Sequence, residues 1–191
     1  MPDLYIIAGP NGAGKTTASM TILPDVLFIK EFINADAIAA GISPFNVESV
    51  AFQAGRIMLD RIQQLIHENE DFAFETTLTT RSYLNLIKKA KSQGYQITLL
   101  FFWLKSPELA KHRVRKRVLL GGHHIPDEVI DRRYLRGIQN LLKDFIHLCD
   151  SWGIYDNSDS EPKPICWSAK GELEIMEPET YQSILSYVKS R

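Results

Sequence analysis

Short apolar runs alternate along this chain with longer segments of helical period. That is the pattern of an α/β domain built on a largely parallel sheet. Strand-like runs stand at "LYIIAG" (4 to 9), "EFINAD" (31 to 36), "DFAFET" (71 to 76), "QITLLFFWL" (96 to 104) and "GIYDNS" (153 to 158). Helical patterns begin near Lys15, Val47, Ser82, Pro107 and Pro126, so the sheet is expected to carry helices on both faces.

The segment from Asn46 to Asn69 illustrates the helical period. Val50, Ala54, Ile57 and Leu65, with a thinner set at Met58, Ile62 and Ile66, recur at steps of three or four, and Arg61, Gln63, Gln64 and Glu68 fall between them. After Ser158, "EPKPICWSAKGELEIM" holds two β-like runs around "AKGE", which predicts a peripheral hairpin with Gly171 in its turn. A closing helix is expected from Pro178, a residue suited to a first helical turn. With no repeat or long linker, the reading is a single domain over 1–191, with a lid at about 117–133 and the hairpin and helix at about 162–190.

Composition narrows the functional classes. The 191 residues are 45% hydrophobic, enough for one sizeable core. Lysine and arginine total 22 against 23 acidic residues, which argues against recognition of nucleic acid or an anionic membrane through a whole-surface positive field. Cys149 and Cys166 are far apart and lack the spacing of a zinc site or a disulfide framework. "MPDLYIIAGP" lacks the features of a secretory signal, and no run approaches the ~20 apolar residues of a membrane span. A cytoplasmic protein without a membrane partner is expected.

The first strand runs into "GPNGAGKTT" (Gly9, Pro10, Asn11, Gly12, Ala13, Gly14, Lys15, Thr16, Thr17). Its glycine, lysine and threonine satisfy G-x-x-x-x-G-K-[ST] in a strand-to-helix context. In such a loop the backbone N–H groups wrap phosphate oxygens, in conformations that a Cβ would obstruct. Lys15 would bridge the β and γ phosphates of ATP, and the Thr16 hydroxyl would ligate Mg²⁺.

Which molecule receives the phosphoryl group depends on other residues. Asp36 ends the second strand-like run, where a carboxylate can orient an attacking hydroxyl and take its proton. The alternative is that Asp36 caps the short helix "AIAAG", a role compatible with the first. The third run ends in Glu75, followed by Thr76 and Thr77, with Arg81 opening the next helix. This cluster suits a polar acceptor rich in hydroxyls, although "TLTT" also reads as a helix-capping turn.

The segment "KHRVRKRVLLGGHHIPDEVIDRRYLR" has the character of a lid. Arginines flank a flexible glycine pair, and closure would bring cationic donors to the charge that develops on a transferring phosphoryl group. Arg113 and Arg117 share a helical face. Beyond the lid, Ile130, Tyr134, Ile138, Leu141 and Phe145 form an apolar stripe; Arg133 lies at its edge, and Arg132 and Arg136 point away. Arg117 and either Arg132 or Arg133 are the catalytic candidates, the alternative being a solvated basic face or a nucleic-acid patch. His123 and His124 make a poor metal site without a carboxylate or cysteine partner, and His123 is instead a candidate phosphate contact.

Together, "GPNGAGKTT", "NAD", "FETTL", "RVLLGGHHIP", "RRYLR" and "YDNS" resemble the zeta toxin family of P-loop kinases over about residues 4 to 158. The resemblance implies a nucleotide-kinase-like fold and ATP/Mg²⁺-dependent phosphorylation of a small acceptor, a UDP-linked amino sugar such as UDP-N-acetylglucosamine. It matches Lys15 and Thr16 to the nucleotide loop, Asp36 to the catalytic carboxylate, Glu75 and Thr76 to the substrate side, and Arg117 with Arg132 or Arg133 to the lid arginines. An antitoxin protein is the partner it implies. "YDNS", at Tyr155 to Ser158, is expected near the nucleotide base.

Overall fold

The computed structural model describes residues 1–189. Its elements run β1 (Asp3–Ala8), α1 (Lys15–Asp25), β2 (Glu31–Ile33), α2 (Ala35–Ile42), α3 (Ala51–Glu68), β3 (Phe72–Thr76), α4 (Ser82–Ser92), β4 (Gln96–Trp103), α5 (Pro107–Leu119), α6 (Asp127–Asn140), β5 (Ser151–Asp156), β6 (Lys163–Ala169), β7 (Glu172–Ile175) and α7 (Pro178–Lys189). A 3₁₀ turn at Val47–Val50 precedes α3, and a π-helical turn at Leu141–Phe145 prolongs α6.

The strands form one sheet in the order β2-β3-β1-β4-β5-β6-β7. The first five pair in parallel, β6 pairs antiparallel with β5, and β7 pairs antiparallel with β6. Strands of the parallel part are buried on both sides, which explains why "LYIIA", "FAF" and "ITLLFFW" read as continuous apolar runs. Phe72, Phe74, Phe101 and Phe102 are among the largest fully buried side chains. The chain steps one way along the sheet from β1 to β2 and the other way from β2 through β5. Right-handed crossovers therefore put α1 on one face and the later helices on the other. On that second face α3 meets α4 at Tyr83 Oη and Met58 Sδ (3.5 Å), and α4 meets the π-helical turn at Arg81 and Asp144 (2.9 Å).

Three local features differ from the sequence reading. The second strand has only three residues, because Asn34 stops it: its Oδ1 accepts from the N–H groups of Asp36 and Ala37 and caps α2. Asp36 therefore stands in the first turn of α2, and Asn34 is the cap. On α3 the stripe through Ala54, Met58, Ile62, Leu65 and Ile66 is the buried one, and Ile57 is 41% exposed. Finally, the C-terminal hairpin extends the main sheet, because β6 pairs with β5 along its length. Gly171 lies in its turn at φ 83°, and position 190, the expected end of the closing helix, lies outside the described residues.

Asp150 fastens β5 to the sheet. Its carboxylate accepts from the Ile97 N–H and from Lys91 Nζ, both at 2.9 Å. Burial alone would raise its pKa, but these two bonds and the charge of Lys91 outweigh it and hold the group below the usual aspartate range. A depressed carboxylate pKa stabilises the fold above its unfolded value, near 3.8, and the stabilisation is lost as pH falls through the folded value. Asp150→Asn is expected to cost about 1 kcal/mol at pH 7, a modest figure because both partners are part-exposed. The variant should also lose less stability than the parent between pH 5 and pH 3. Urea midpoints across that window test this, and parallel acid slopes would refute it.

Candidate active site

The phosphate loop follows directly from the end of β1. Gly9 passes so close to β4 that a Cβ there would lie 2.3 Å from the Phe102 carbonyl oxygen. Gly14 has φ 74°, the left-handed conformation that glycine adopts at no steric cost, and it opens α1. No side chain caps α1, whereas Asn34 caps α2 and Ser106 caps α5. The leading N–H groups of α1 are thus presented to the cleft, as an anion site requires. Pro10 contributes its carbonyl, which accepts from Lys15 Nζ (3.0 Å) and from the Ala13 N–H (3.2 Å). Ala13 is fully buried, and Asn11, Gly12, Gly14, Lys15, Thr16 and Thr17 line the cleft, which has a volume of about 600 Å³.

Glu75, at the end of β3, faces this loop. Its Oε2 accepts from Thr16 Oγ1 (2.7 Å) and Asn34 Nδ2 (2.8 Å), and its Oε1 lies 3.5 Å from Lys15 Nζ. The sequence reading assigned Glu75 to the acceptor side; in the structure it is bonded to the nucleotide side. Burial pushes the Lys15 ammonium below the usual lysine range, while Glu75 first and then Asp36 push it back up. The Thr16 hydroxyl and the Glu75 carboxylate are hard oxygen donors of the kind Mg²⁺ prefers, while Asn34 turns its amide nitrogen to this spot because its oxygen caps α2. Among the described residues no cluster of three or more His, Cys, Asp or Glu could hold a metal ion.

Asp36 lies on the wall between two hollows. It lines the 600 Å³ cleft and also a second cavity of about 270 Å³. Arg133 borders both as well. The second cavity is also lined by the polar Glu48, His123 and His124 and by the apolar Val47, Ile125 and Val129. His123 Nε2 stands 3.8 Å from Asp36 Oδ2.

The lid arginines separate by position. Arg133 donates through Nη1 to Asn11 Oδ1 at 3.3 Å, joining α6 to the phosphate loop. Burial pulls its pKa down, and the charge of Asp36 opposes that. Arg132 is exposed and borders neither cavity. Arg117 lines the cleft, with its Nη2 on the His123 carbonyl (3.3 Å). Gly122 packs against it so tightly that a Cβ would lie 2.6 Å from Arg117 Cγ, so this glycine provides close approach, and Gly121 (φ 90°) provides the turn.

Thr76 and Thr77 line the cleft, although Thr76 Oγ1 accepts from the Leu78 N–H and Thr77 Oγ1 is 3.0 Å from Thr79 Oγ1. Arg81 pairs with Asp144 and borders neither cavity. The sequence reading passed over Asn34, Tyr83, Arg113 and Glu48. Asn34 stood inside the quoted "NAD", and Arg113 was paired with Arg117 by helical spacing; nothing local marked the other two. In "YDNS", Asn157 turns toward the phosphate loop, with Nδ2 2.6 Å from the Ala13 carbonyl oxygen.

A family sequence profile, Zeta toxin, matches residues 1–161, most of the chain. The chain belongs to the zeta toxin family. An uncharacterised protein of Haemophilus influenzae is 30% identical over 126 residues, spanning 66% of this chain and 88% of that protein. Among solved structures, one of the PezAT chromosomal toxin-antitoxin system of Streptococcus pneumoniae aligns with TM-score 0.66 at 18% identity, covering 99% of this chain and 86% of the other. A crystal structure of AvrRxo1-ORF1:-ORF2 with ATP aligns with TM-score 0.77 at 16% identity, covering 98% of this chain. This zeta toxin family member spans 64% of that longer chain. Among the described residues no helix is long and apolar enough to cross a membrane.

The Lys15–Glu75 contact makes a prediction. With its carboxylate removed in Glu75→Gln, Lys15 should lose its proton at lower pH than in the parent, because burial would then act with less opposition. In spectra of protein labelled at lysine ¹³Cε, the Lys15 resonance should titrate below the exposed lysines and shift lower still in the variant. An unchanged midpoint would show that the two groups are not electrostatically paired.

Proposed function

We propose that this chain is an ATP-dependent kinase that transfers the γ-phosphoryl group to a hydroxyl of a small acceptor, a UDP-linked amino sugar by family resemblance. The observation that carries the reading is the shared wall: Asp36 and Arg133 border both the phosphate-loop cleft and the second cavity. Bound in the first, ATP presents its γ-phosphate toward that wall; bound in the second, an alcohol meets it there.

In this reading Asp36 orients the acceptor hydroxyl and takes its proton. The acceptor oxygen forms the new bond to phosphorus, the bond to the bridging oxygen breaks, and ADP leaves with that electron pair. Lys15 and the uncapped N–H groups of α1 hold the phosphates. Arg133 and Arg117 supply positive charge where the transferring group gathers negative charge. Mg²⁺, when bound, neutralises phosphate charge; the Thr16 hydroxyl would hold it, with Glu75 orienting that hydroxyl by accepting its proton in a hydrogen bond. His123, which lines the second cavity 3.8 Å from Asp36, would contact an anionic part of the acceptor. An antitoxin protein as physiological partner belongs to the same proposal, supported by the family and by the PezAT likeness. A cytoplasmic location accords with it.

Incubation with ATP, Mg²⁺ and a panel of UDP-sugars tests the reading, with mass spectrometry for the gain of one phosphoryl group. Asp36→Asn is expected to lower turnover by about 10²–10⁴-fold while leaving ATP affinity within a few-fold. ATP hydrolysis indifferent to every added acceptor and undiminished in Asp36→Asn would replace the kinase with a nucleotide-hydrolysing switch.

A further inference from the structure

A phosphate loop works only if its peptide N–H groups point inward, and a trans peptide places its C=O on the side opposite its N–H. Turning the Gly14 N–H toward the cleft therefore turns the Ala13 carbonyl outward, into protein. Ala13 is fully buried, so that carbonyl needs a donor from the fold. The donor is Asn157 Nδ2, at 2.6 Å. The same nitrogen lies 2.7 Å from where a Cβ on Gly14 would be, so the carboxamide packs directly beneath the peptide it holds. Reversing that peptide would set an N–H against the Asn157 N–H and leave a carbonyl facing the phosphate.

Asn157 is itself fixed from several directions. Its N–H donates to the Trp103 carbonyl at the end of β4 (2.9 Å). Its carbonyl accepts from Arg113 Nη1 (2.7 Å), while Nη2 of the same arginine donates to the carbonyls of Ser158 (2.7 Å) and Asp159 (3.1 Å). Ser158 closes the turn, with its N–H on Asp156 Oδ1 (2.8 Å) and its Oγ accepting from the Lys105 N–H (2.9 Å). Arg113 also lines the cleft, and its Cβ would lie 3.2 Å from a Cβ on Gly12, so α5 backs the loop from the other side. Asn157 is 9% exposed.

We propose that Asn157 is a positioning residue for the phosphate loop, a carboxamide at the end of β5 that holds the Ala13–Gly14 peptide in its phosphate-binding orientation, with Arg113 as its anchor. The inference rests on the nucleotide-binding reading above and adds that β5, which contributes none of the loop's own residues, sets its affinity. A carboxamide is required because the partner is a carbonyl: a carboxylate in its place would face the Ala13 oxygen with a second acceptor and add negative charge beneath the phosphate.

The test compares the parent with Asn157→Ala, Asn157→Ser and the near-isosteric Asn157→Asp. Titration calorimetry would give dissociation constants for MgATP, pyrophosphate and adenosine, beside thermal melts. The expected result is a loss of about tenfold in MgATP affinity for the alanine variant, the size of effect that losing one buried hydrogen bond allows, and a larger loss for Asp. Pyrophosphate affinity should fall by the same factor and adenosine affinity should stay unchanged, which a merely structural role would not produce. Serine is the mildest change and keeps the comparison available if alanine or aspartate fails to fold. Folded variants that bind MgATP and pyrophosphate as the parent does would overturn the role of Asn157 and leave the kinase reading standing. A parent that binds neither would overturn both.

Discussion

The carboxylate of Glu75 is the constraint on which the arrangement of the site depends. It is nearly buried and charged, and such a group is tolerated only when its lone pairs and its charge are met. The sheet brings the partners to it. Parallel pairing of β3 with β1 in the register Ile7 to Glu75 sets the carboxylate beside the start of the phosphate loop. Pairing of β2 with β3 in the register Ile33 to Phe74 carries the next residue, Asn34, to the same level. Lys15 and Thr16 from α1 and Asn34 from the β2–α2 junction then converge on one group. Because the other end of the Asn34 carboxamide caps α2, the chain of contacts from Glu75 also decides where Asp36 stands.

The opposite side of the cleft is held by a comparable device. Helix α6 presents Arg133 to the phosphate loop, and its next turn is locked to the β3–α4 connection. Gly137 lies against the Thr77 carbonyl, where a Cβ would come within 2.5 Å, and Asn140 Nδ2 donates to the Leu78 carbonyl at 2.6 Å. Leu78 is fully buried at φ 56°, a conformation that a branched side chain adopts only when its surroundings impose it. Tyr134 adds a bond from its hydroxyl to the Leu104 carbonyl (2.5 Å). Helix α6, which carries Arg133, and the segment after Glu75 therefore belong to one packed unit.

Much of this was legible in the sequence for definite reasons. Continuous apolar runs revealed strands buried on both faces, and the glycines of the phosphate loop revealed its geometry because no other residue fits those backbone angles. The sequence leaves Arg132 and Arg133 both open, with Arg133 at the edge of the α6 stripe, and in the structure it is Arg133 that borders the cleft. What stayed hidden was tertiary. The short β2 was masked because a strand ending and a capped helix beginning are written by the same polar residue, Asn34. Glu75 and Thr76 read alike as strand-end polar residues, yet the pleat sends Glu75 to the loop, while Thr76 turns back to its own chain at Leu78. Arg81 looked suited to the cleft until Asp144, far along the sequence, claimed it. Asn157 was visible only as part of "YDNS", expected near the nucleotide base, because its partner carbonyl is brought close by the pairing of β4 with both β1 and β5.

The second cavity bears on whether water or an alcohol would attack at Asp36. A hydrolase needs room there for one ordered water, whose share of liquid volume is about 30 Å³. The hollow beside Asp36 has a volume of about 270 Å³, on the order of nine times that. Its wall of Val47, Ile125 and Val129 offers no hydrogen bonds, so waters there would be poorly held on one side, whereas a carbon skeleton would be well placed. Polar side chains also line it, and two of them, Asp36 and Arg133, border the phosphate cleft as well. A cavity lined by both apolar and ionic side chains suits a molecule with one reacting hydroxyl and a body to be bound. A hollow of that size and lining supports the proposal of an alcohol bound beside Asp36.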